Sequence, residues 1–405
     1  MKNFRNDLVK RLIPLGVYLI GIGVSLRSAL VEFTLQSGDT SQEYVLYLEY
    51  LKAGRWYPIA DSMQASCLMT TYIPSVIQKI TGIDPYILFL LIPSLLMAVI
   101  PVVVYYIARL YVDNKWAVLS AVFVMCQVCF QRSMVYARNN IAMVFVSLII
   151  LAVLNKNWKW SIKAPIIFVS VIGMVISHYS VTYTVIAWLI GGAILLSIVL
   201  VIKRLNWRPV VMLVCVAILL FMASFVWLDR ITDVPATYAE KVLAAATKDI
   251  IGGVATLPSG QTILLEYENK DSVVAAAFGV GFWERNAPQK IEFIISWVTI
   301  LLLTVGIAYY CYKVVKKQPV DYLLLSLAVV GYLGVVLAVL VPSISRFIGI
   351  ARIYYTVAII FAVFYSIGSK ILFKWKPIWC ASLVLIVYGL CTSGMMHLIF
   401  GVSRV

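Results

Sequence analysis

The chain has 405 residues, of which 62% are hydrophobic and only 13% are charged, and its formal net charge is +15. A soluble domain is typically about half apolar and a quarter charged, so this composition excludes an ordinary soluble protein. It predicts a polytopic membrane protein, and the spans must be α-helical because lipid offers no hydrogen-bond partner to open backbone groups.

The first apolar run, residues 12–31, follows a short basic segment as the core of a signal peptide would. No small-residue cleavage site comes after it, so we expect a retained first helix. Ten further apolar runs follow at intervals that suit helices crossing a hydrocarbon core of about 30 Å. The predicted fold class is all-α integral membrane with about eleven spans, at 12–31, 86–109, 116–131, 140–154, 164–177, 181–202, 209–228, 291–312, 320–341, 347–367 and 377–400.

Alternate loops between these spans differ in charge. With the N-terminus inside, the inner loops hold 18 of the 33 lysines and arginines but only three of the 18 acids, Asp7, Asp113 and Asp321. Positively charged loops stay cytoplasmic, so the N-terminus is predicted inside and the C-terminus outside. The excess charge is an insertion signal spread over short turns, and no nucleic acid partner is expected.

The cysteines do not indicate a metal or redox site. Cys126 and Cys129 have the CxxC spacing of such sites, but they lie in an apolar run with no second pair. We interpret them as small packing residues and expect no disulfide framework among the seven cysteines.

Two predicted outer loops, residues 32–85 and 229–290, are much longer than the others. Long loops on one face of a rigid scaffold commonly carry function. The chain therefore divides into an N-terminal transmembrane module (1–228), a large outer loop (229–290) and C-terminal transmembrane helices (291–405). The glycines and short helical patterns of the second loop predict a partly mobile lid.

The first outer loop is predicted to contain two interfacial helices. Thr40 and Glu43 have the spacing of a helix capping box, and Gly54 is a stop signal. A second helix is predicted from Asp61 towards Ile80. Apolar residues recur at helical spacing in both, so we expect them to lie along the outer membrane surface.

Asp39 and Glu43 lie one helical turn apart, just beyond the first span. They are candidate catalytic residues, since a carboxylate can take the proton from an acceptor hydroxyl as it attacks an electrophile. The alternative is helix capping, because acids stabilise a helix N-terminus. Glu43 could share the proton transfer, orient Asp39 or help to hold a cation, so a divalent metal remains open.

Four arginines fall near the same outer face, and Arg27 could join them. Arginine suits a phosphate partner because its planar fork donates two parallel hydrogen bonds. The alternative is that these side chains reach the membrane surface along the lipid. Arg352 lies inside a predicted span, where it needs a partner or a hydrated cavity. The candidate lipid-phosphate ligands are Arg132, Arg138, Arg346 and Arg352.

His178 and Tyr179, at an outer turn between two spans, are candidate substrate-binding residues. The alternative for a lone histidine is an ordinary hydrogen-bonded surface residue. No zinc-protease, Walker or serine-hydrolase motif is present in the sequence, so those enzyme classes have no support.

This layout resembles the GT-C class of membrane glycosyltransferases, which includes protein O-mannosyltransferases and oligosaccharyltransferase subunits. The first span, the early Asp39 and the two loop helices carry the resemblance through residues 12–228. The segments SHYSVTY and RIYYTVAIIF are also similar to prokaryotic members of the class. No soluble region follows the last predicted span in this sequence, which points away from the larger oligosaccharyltransferases.

The resemblance implies transfer of a sugar from a polyprenyl-phosphate donor to a glycan or protein acceptor outside the cell membrane. Asp39 would match the catalytic base, and Arg346 or Arg352 would match the cation that holds the lipid phosphate. Direct displacement with one base would invert the anomeric centre. Residues 132–139 carry arginines where metal-dependent members have an acidic motif, which argues against a divalent metal.

Two other functions remain open from the sequence. A polymerase or ligase of lipid-linked oligosaccharides would depend on Arg132, Arg138 and Arg352, and less on Asp39. A transporter is the non-enzyme alternative, but no internal repeat and no paired Gly/Pro-broken helices are visible.

Overall fold

The computed structural model describes residues 2–31, 39–59, 62–232, 285–341 and 349–402, together with Ala244 and Thr247. Within these ranges the chain is helical and forms no β-strand, as predicted. The helices are α1 (Lys2–Val31), α2 (Asp39–Ala53), α3 (Tyr72–Thr81), α4 (Pro85–Met97), α5 (Val99–Arg109), α6 (Asn114–Met125), α7 (Val128–Gln131), α8 (Ala137–Leu154), α9 (Trp160–Val175), α10 (Tyr179–Lys203), α11 (Arg208–Ser224), α12 (Ala287–Val315), α13 (Tyr322–Leu340), α14 (Ile350–Leu372), α15 (Pro377–Thr392) and α16 (Met395–Ile399).

Eight helical stretches in the described part of the chain are long and apolar enough to cross a membrane. They are Leu12–Leu30, Pro85–Arg109, Ala137–Leu154, Tyr179–Lys203, Arg208–Ile231, Ala287–Val315, Tyr322–Leu340 and Ile350–Leu372. The other three predicted spans coincide with the shorter apolar helices α6, α9 and α15.

Besides the one-residue junction at Ala98 between α4 and α5, two of the predicted spans are interrupted. The span 116–131 breaks at Gln127 between α6 and α7, and the span 377–400 breaks between α15 and α16. At the second break Gly394 has φ +77°, a left-handed conformation that glycine adopts without steric cost. These runs were predicted as continuous because each polar break is short beside the apolar residues on both sides of it.

Helices α8 and α14 form the centre of the bundle. Burial covers 89% of the span in α8 and 83% of that in α14, against 22% in α12. Helix α14 packs against α6, α10, α12, α13 and α15, so most of its faces meet other helices. Residues at the ends of α8 and α14 are therefore positioned by the most rigid part of the fold.

Small and polar residues bring helices close to α14. Ser366 donates a hydrogen bond to the carbonyl of Trp116 in α6 (3.0 Å), and Ser120 donates to the carbonyl of Ala362 (2.9 Å). Gly306 of α12 and Gly368 of α14 lie against each other's backbones, where a Cβ atom would clash. Close approach at small residues and interhelical hydrogen bonds are how helices associate in lipid.

The loops at one end of the bundle contact each other. Lys156 forms an ion pair with Asp321 (2.8 Å), and the Tyr111 hydroxyl donates to the same carboxylate (3.3 Å). These residues belong to three of the predicted inner loops. Helix α8 separates Lys156 from Arg138 by roughly 27 Å at 1.5 Å per residue. Arg138 thus marks the opposite end of the bundle.

The first outer loop differs in part from its prediction. Helix α2 ends at Ala53, and Gly54 has φ +71°, so the predicted stop is confirmed. The predicted capping box is wrong, because the Thr40 hydroxyl donates to the Met134 carbonyl (3.1 Å) and Glu43 faces Arg138.

The second loop helix starts later than predicted. It begins at Tyr72 instead of Asp61, with Pro74 tolerated in its first turn. The hydroxyls of Ser66, Thr70 and Thr71 bond to nearby backbone carbonyls, which favours turns over helix before Tyr72.

The predicted lid, 229–290, lies almost entirely outside the described residues. At its near side, α11 continues as a π-helical segment, Phe225–Ile231. The indole of Trp227 in this segment donates to the Ser66 carbonyl (3.0 Å) and packs on Trp56. The π-helical segment therefore packs against Trp56 and Ser66 of the predicted first outer loop.

Candidate functional site

Helix α2 positions the two candidate carboxylates. Its buried stripe consists of Glu43, Leu46, Tyr47 and Tyr50, at the spacing of one helix face. The Tyr47 ring stacks on Phe89 of α4 with centroids 6.1 Å apart. Because this face is anchored, the first turn of α2 holds Asp39 and Glu43 against the end of the bundle.

Arg138 joins both carboxylates. Its Nη2 atom lies 2.6 Å from Asp39 Oδ2, and its Nε atom lies 2.5 Å from Glu43 Oε1. The side chains of Arg138 and Glu43 are 5% and 3% exposed, whereas that of Asp39 is 51% exposed. The network therefore has a buried part, Arg138 with Glu43, and one accessible carboxylate.

The start of α8 is fixed by hydrogen bonds, which in turn fixes Arg138. The Asn140 amide donates to the carbonyls of Cys129 (2.9 Å) and Ser133 (3.2 Å). Ser133 in turn bonds to Ser25 and Ser28 of α1. A guanidinium in the first turn of a helix opposes the helix dipole, so the two carboxylates are the partners that make this position favourable.

Residues 62–71 complete the surroundings of the network. Gln64 donates to Asp39 Oδ1 (3.4 Å), and Arg138 Nη1 lies 3.8 Å from the Sγ atom of Cys67. Thr70 lies close to Glu43, but its hydroxyl donates to the Cys67 carbonyl (3.3 Å). Glu43 Oε2 is thus buried without a hydrogen-bond partner among the described residues.

Burial raises the pKa of the Glu43 carboxyl, and the positive charges of Arg138 and, more weakly, Arg352 oppose that rise. Among the described residues, only Arg138 forms an ion pair with the two acids, and Arg352 acts on Glu43 from a longer range. Arg352, in the first turn of α14, is therefore a second positive charge at this end of the bundle.

His178 is buried and caps helix α10. Its Nδ1 atom accepts from the Ser180 backbone N–H (3.2 Å), which requires an unprotonated Nδ1. Burial lowers the pKa of His178 well below its usual value, and the charges of Arg138 and Arg352 act in the same direction. His178 is therefore neutral near pH 7. Its neighbour Tyr179 lies near Arg138 and forms a tilted ring pair with His178.

The structure does not bring all the predicted arginines into this group. Arg132 is exposed on the loop before α8, and both Arg132 and Arg352 lie close enough to lower the pKa of Tyr136, which burial raises. Arg27 donates to the Ser393 carbonyl (3.0 Å), between α15 and α16. Arg346 falls outside the described residues.

Four helices begin at this site, and each contributes from its first turn or cap. They are α2 with Asp39 and Glu43, α8 with Arg138, α10 with His178 and α14 with Arg352. Helix N-termini carry partial positive charge and orient free N–H groups outward, which favours an anion at this end of the bundle. The arrangement can therefore hold a negatively charged group beside an exposed carboxylate.

Sequence reasoning missed Gln64, Cys67 and Thr70, since an ordinary polar loop gives no sign of its contacts. The pairing of Arg138 had an indirect signal. A charged residue beside an apolar run needs a partner, and residues 132–142 contain no acid. The partner had to come from another loop, but the sequence does not say which.

No family model matches this chain, and no curated protein matches it. Its fold is similar to that of the archaeal oligosaccharyltransferase AglB from Archaeoglobus fulgidus in complex with an inhibitory peptide and a dolichol-phosphate. The TM-score is 0.55 with 13% identity, covering 95% of this chain and 56% of that chain. The apo form of the Archaeoglobus fulgidus oligosaccharyltransferase gives a TM-score of 0.51 with 12% identity over the same shares.

The predicted resemblance to GT-C membrane glycosyltransferases is thus confirmed at the level of the fold. At 95% coverage the similarity includes nearly the whole of this chain. The chain nevertheless spans only about half the length of the oligosaccharyltransferase that it is similar to.

Proposed function

We propose that this chain is a membrane glycosyltransferase that transfers a sugar from a polyprenyl-phosphate donor to an acceptor outside the cell membrane. The observation that carries the proposal is the Arg138 network. It leaves Asp39 as the one accessible carboxylate of a buried ionic cluster, in the first turns of α2 and α8. The similar fold of an oligosaccharyltransferase supports the same reaction class.

Asp39 acts as the general base. It accepts the proton of the acceptor nucleophile while that atom attacks the anomeric carbon of the sugar. The bond from the anomeric carbon to the phosphate oxygen breaks, and its electron pair leaves with the polyprenyl phosphate. One displacement inverts the anomeric centre. Gln64, 3.4 Å from Asp39 Oδ1, helps to keep this oxygen turned towards the surface.

Arg352 stabilises the leaving phosphate. Negative charge grows on the phosphate oxygens as the bond breaks, and a preorganised guanidinium in a poorly hydrated cleft stabilises that charge. Arg346, four residues before the start of α14, is the second candidate ligand. Arg132 lies near Arg352 around Tyr136 and assists at the membrane surface.

His178 and Tyr179 line the acceptor or sugar side of the site. The Nδ1 atom of neutral His178 accepts a hydrogen bond from the backbone of α10. Its proton is therefore on Nε2, and we expect Nε2–H to donate a hydrogen bond to a sugar hydroxyl. The oligosaccharyltransferase with the similar fold was bound to a dolichol-phosphate and an inhibitory peptide. These support a lipid-phosphate donor and, among acceptors, a peptide.

The topology of this proposal has eleven spans, with α6, α9 and α15 crossing as short helices. The end with Lys156 and Asp321 then faces the cytoplasm, and the Asp39 end faces outward. Nucleotide sugars are not expected outside the cytoplasm, so a lipid phosphate is the natural leaving group there.

The test is a transfer assay with the full chain in liposomes and a panel of radiolabelled polyprenyl-phosphate sugars. Asp39→Asn removes the base, and the expected loss of transfer is roughly 10²–10⁴-fold. Glu49→Gln is the matched control, because Glu49 is exposed on the other face of α2. Full activity of both Asp39→Asn and Asp39→Ala would refute the role of Asp39.

The same variants separate this function from a polymerase or ligase of lipid-linked oligosaccharides. That activity would depend on the arginines and survive the loss of Asp39. Consumption of none of the donors by the wild-type chain would contradict the proposed function itself.

A further inference from the structure

The Arg138 guanidinium lies between two carboxylates, which are groups that could otherwise share a metal ion. The class that the fold resembles includes metal-dependent members, in which acidic residues hold a divalent cation. In this chain the inward oxygens of Asp39 and Glu43 both contact Arg138, at 2.6 and 2.5 Å. The cation between the two acids is therefore a side chain of the protein itself.

The residues of the site do not fit a divalent metal. Oxygen ligands of such ions lie at about 2.0–2.6 Å, so an ion on these two oxygens would touch the guanidinium. Arg138 is 5% exposed and held by α8, so it cannot turn into solvent to make room. Across the described ranges, no three His, Cys, Asp or Glu side chains come together as a metal-binding group.

A guanidinium has a different effect on Asp39 from that of a dication. It cancels the repulsion between the two acids and fixes the direction of Asp39 through a hydrogen bond to Oδ2. Its single charge attracts the carboxylate less strongly than a double charge at the same distance would. Oδ1 remains as the basic atom that faces the acceptor.

We propose that Arg138 is a positioning residue that takes the place of a divalent metal ion between Asp39 and Glu43. This assigns Arg138 to the carboxylates instead of the lipid phosphate. The claim about cation binding stands on the contacts alone, whereas the claim that sugar transfer needs no divalent cation also rests on the proposed function.

The first test measures cation binding without any sugar donor. The full chain in detergent is stripped with EDTA and mixed with an equimolar amount of Mn²⁺, and bound ion is detected by electron paramagnetic resonance. The wild-type chain is expected to bind none. Binding that disappears in the Glu43→Gln variant would overturn the proposal.

Arg138→Asp replaces the guanidinium by a third carboxylate. This variant is expected to bind one Mn²⁺ per chain, because three carboxylates then lie together without the arginine that neutralises Asp39 and Glu43. The gain should vanish when Asp39→Asn and Glu43→Gln are added. A folded Arg138→Asp chain that binds no Mn²⁺ would contradict the proposal. If this variant does not fold, the Mn²⁺ measurement on the wild-type chain is the deciding test.

The second test uses the transfer assay. EDTA is expected to leave the wild-type rate unchanged. Arg138→Lys can hold only one carboxylate, so kcat should fall about 10- to 100-fold while the KM for the lipid donor stays within about twofold. A raised KM with unchanged kcat would instead assign Arg138 to the lipid phosphate. Absence of any transfer contradicts the proposed function but leaves the Mn²⁺ result to judge the role of Arg138.

Discussion

The two ends of the helical bundle each carry an ion pair, and the pairs differ in burial. At one end Lys156 and Asp321 join two loops, and the lysine is 68% exposed. At the other end Arg138 holds Asp39 and Glu43, and the arginine is 5% exposed. The same kind of interaction is a weak surface contact in one place and the organising element of a site in the other.

Burial explains the difference. Water screens the Lys156 pair, so its loss exposes no charge to an apolar environment. Removing one partner of a buried pair leaves an uncompensated charge without solvent, which is costly. The Arg138 end therefore depends on its ion pairs for both folding and chemistry.

The largest effect on stability is expected from Arg138→Met. It leaves Glu43 buried without its cation and should lower the free energy of unfolding by on the order of 3–5 kcal/mol. Denaturant unfolding of the detergent-solubilised chain measures this. Arg132→Met, on the exposed loop before α8, is the control and should change little. Equal free energies of unfolding for the two variants would contradict the idea that this end depends on its buried ion pairs.

Arg352→Ala tests the chemistry of the same end. Loss of a preorganised donor to a growing anion typically lowers kcat by about 10²–10³-fold, and we expect that range for sugar transfer. Arg230→Ala, on the exposed π-helical segment after α11, should retain the wild-type rate. An Arg352→Ala chain with unchanged transfer would show that another group holds the phosphate.

Gly368→Val tests the scaffold that connects the ends. The added side chain meets the backbone of α12 at Leu302, so unfolding should become easier by about 1–3 kcal/mol. In α13, a Cβ atom on Gly334 meets nothing within 4 Å, and Gly334→Ala should be neutral or stabilising. The thermal midpoints of the two variants make the comparison, and similar midpoints would contradict the close crossing of α12 and α14.

The smallest effect is expected from Lys156→Ala. An exposed ion pair contributes about 0–1 kcal/mol, and salt screens it. Unfolding at low and high ionic strength should show a small difference that disappears with salt. A loss above about 2 kcal/mol at both salt concentrations would mean that this end, too, depends on its ion pair.

Much of the fold follows from hydrophobic patterning. Runs of about 20 apolar residues predict spans well, since lipid imposes both length and composition. The breaks at Gln127 and Gly394 were missed because each is short beside the apolar residues on both sides of it. The start of α3 was misplaced because serine and threonine hydroxyls compete for backbone carbonyls over residues 66–71.

The residues of the site could be predicted from the sequence, but the contacts between them could not. Asp39, Glu43, Arg138, His178 and Arg352 stood out as polar groups at the ends of apolar runs. Their pairing was not predictable, since 99 residues separate Asp39 from Arg138 and no local pattern encodes that contact. The sequence therefore assigned Arg138 to a phosphate, whereas its contacts are with carboxylates.

The most direct measurement is a cryo-EM structure of the full chain in nanodiscs with a bound polyprenyl monophosphate. We expect the phosphate oxygens about 2.8 Å from the Arg352 guanidinium, with Arg138 still joining Asp39 and Glu43. A phosphate held by Arg138 with the two carboxylates released, or one bound at the Lys156 end, would contradict the account.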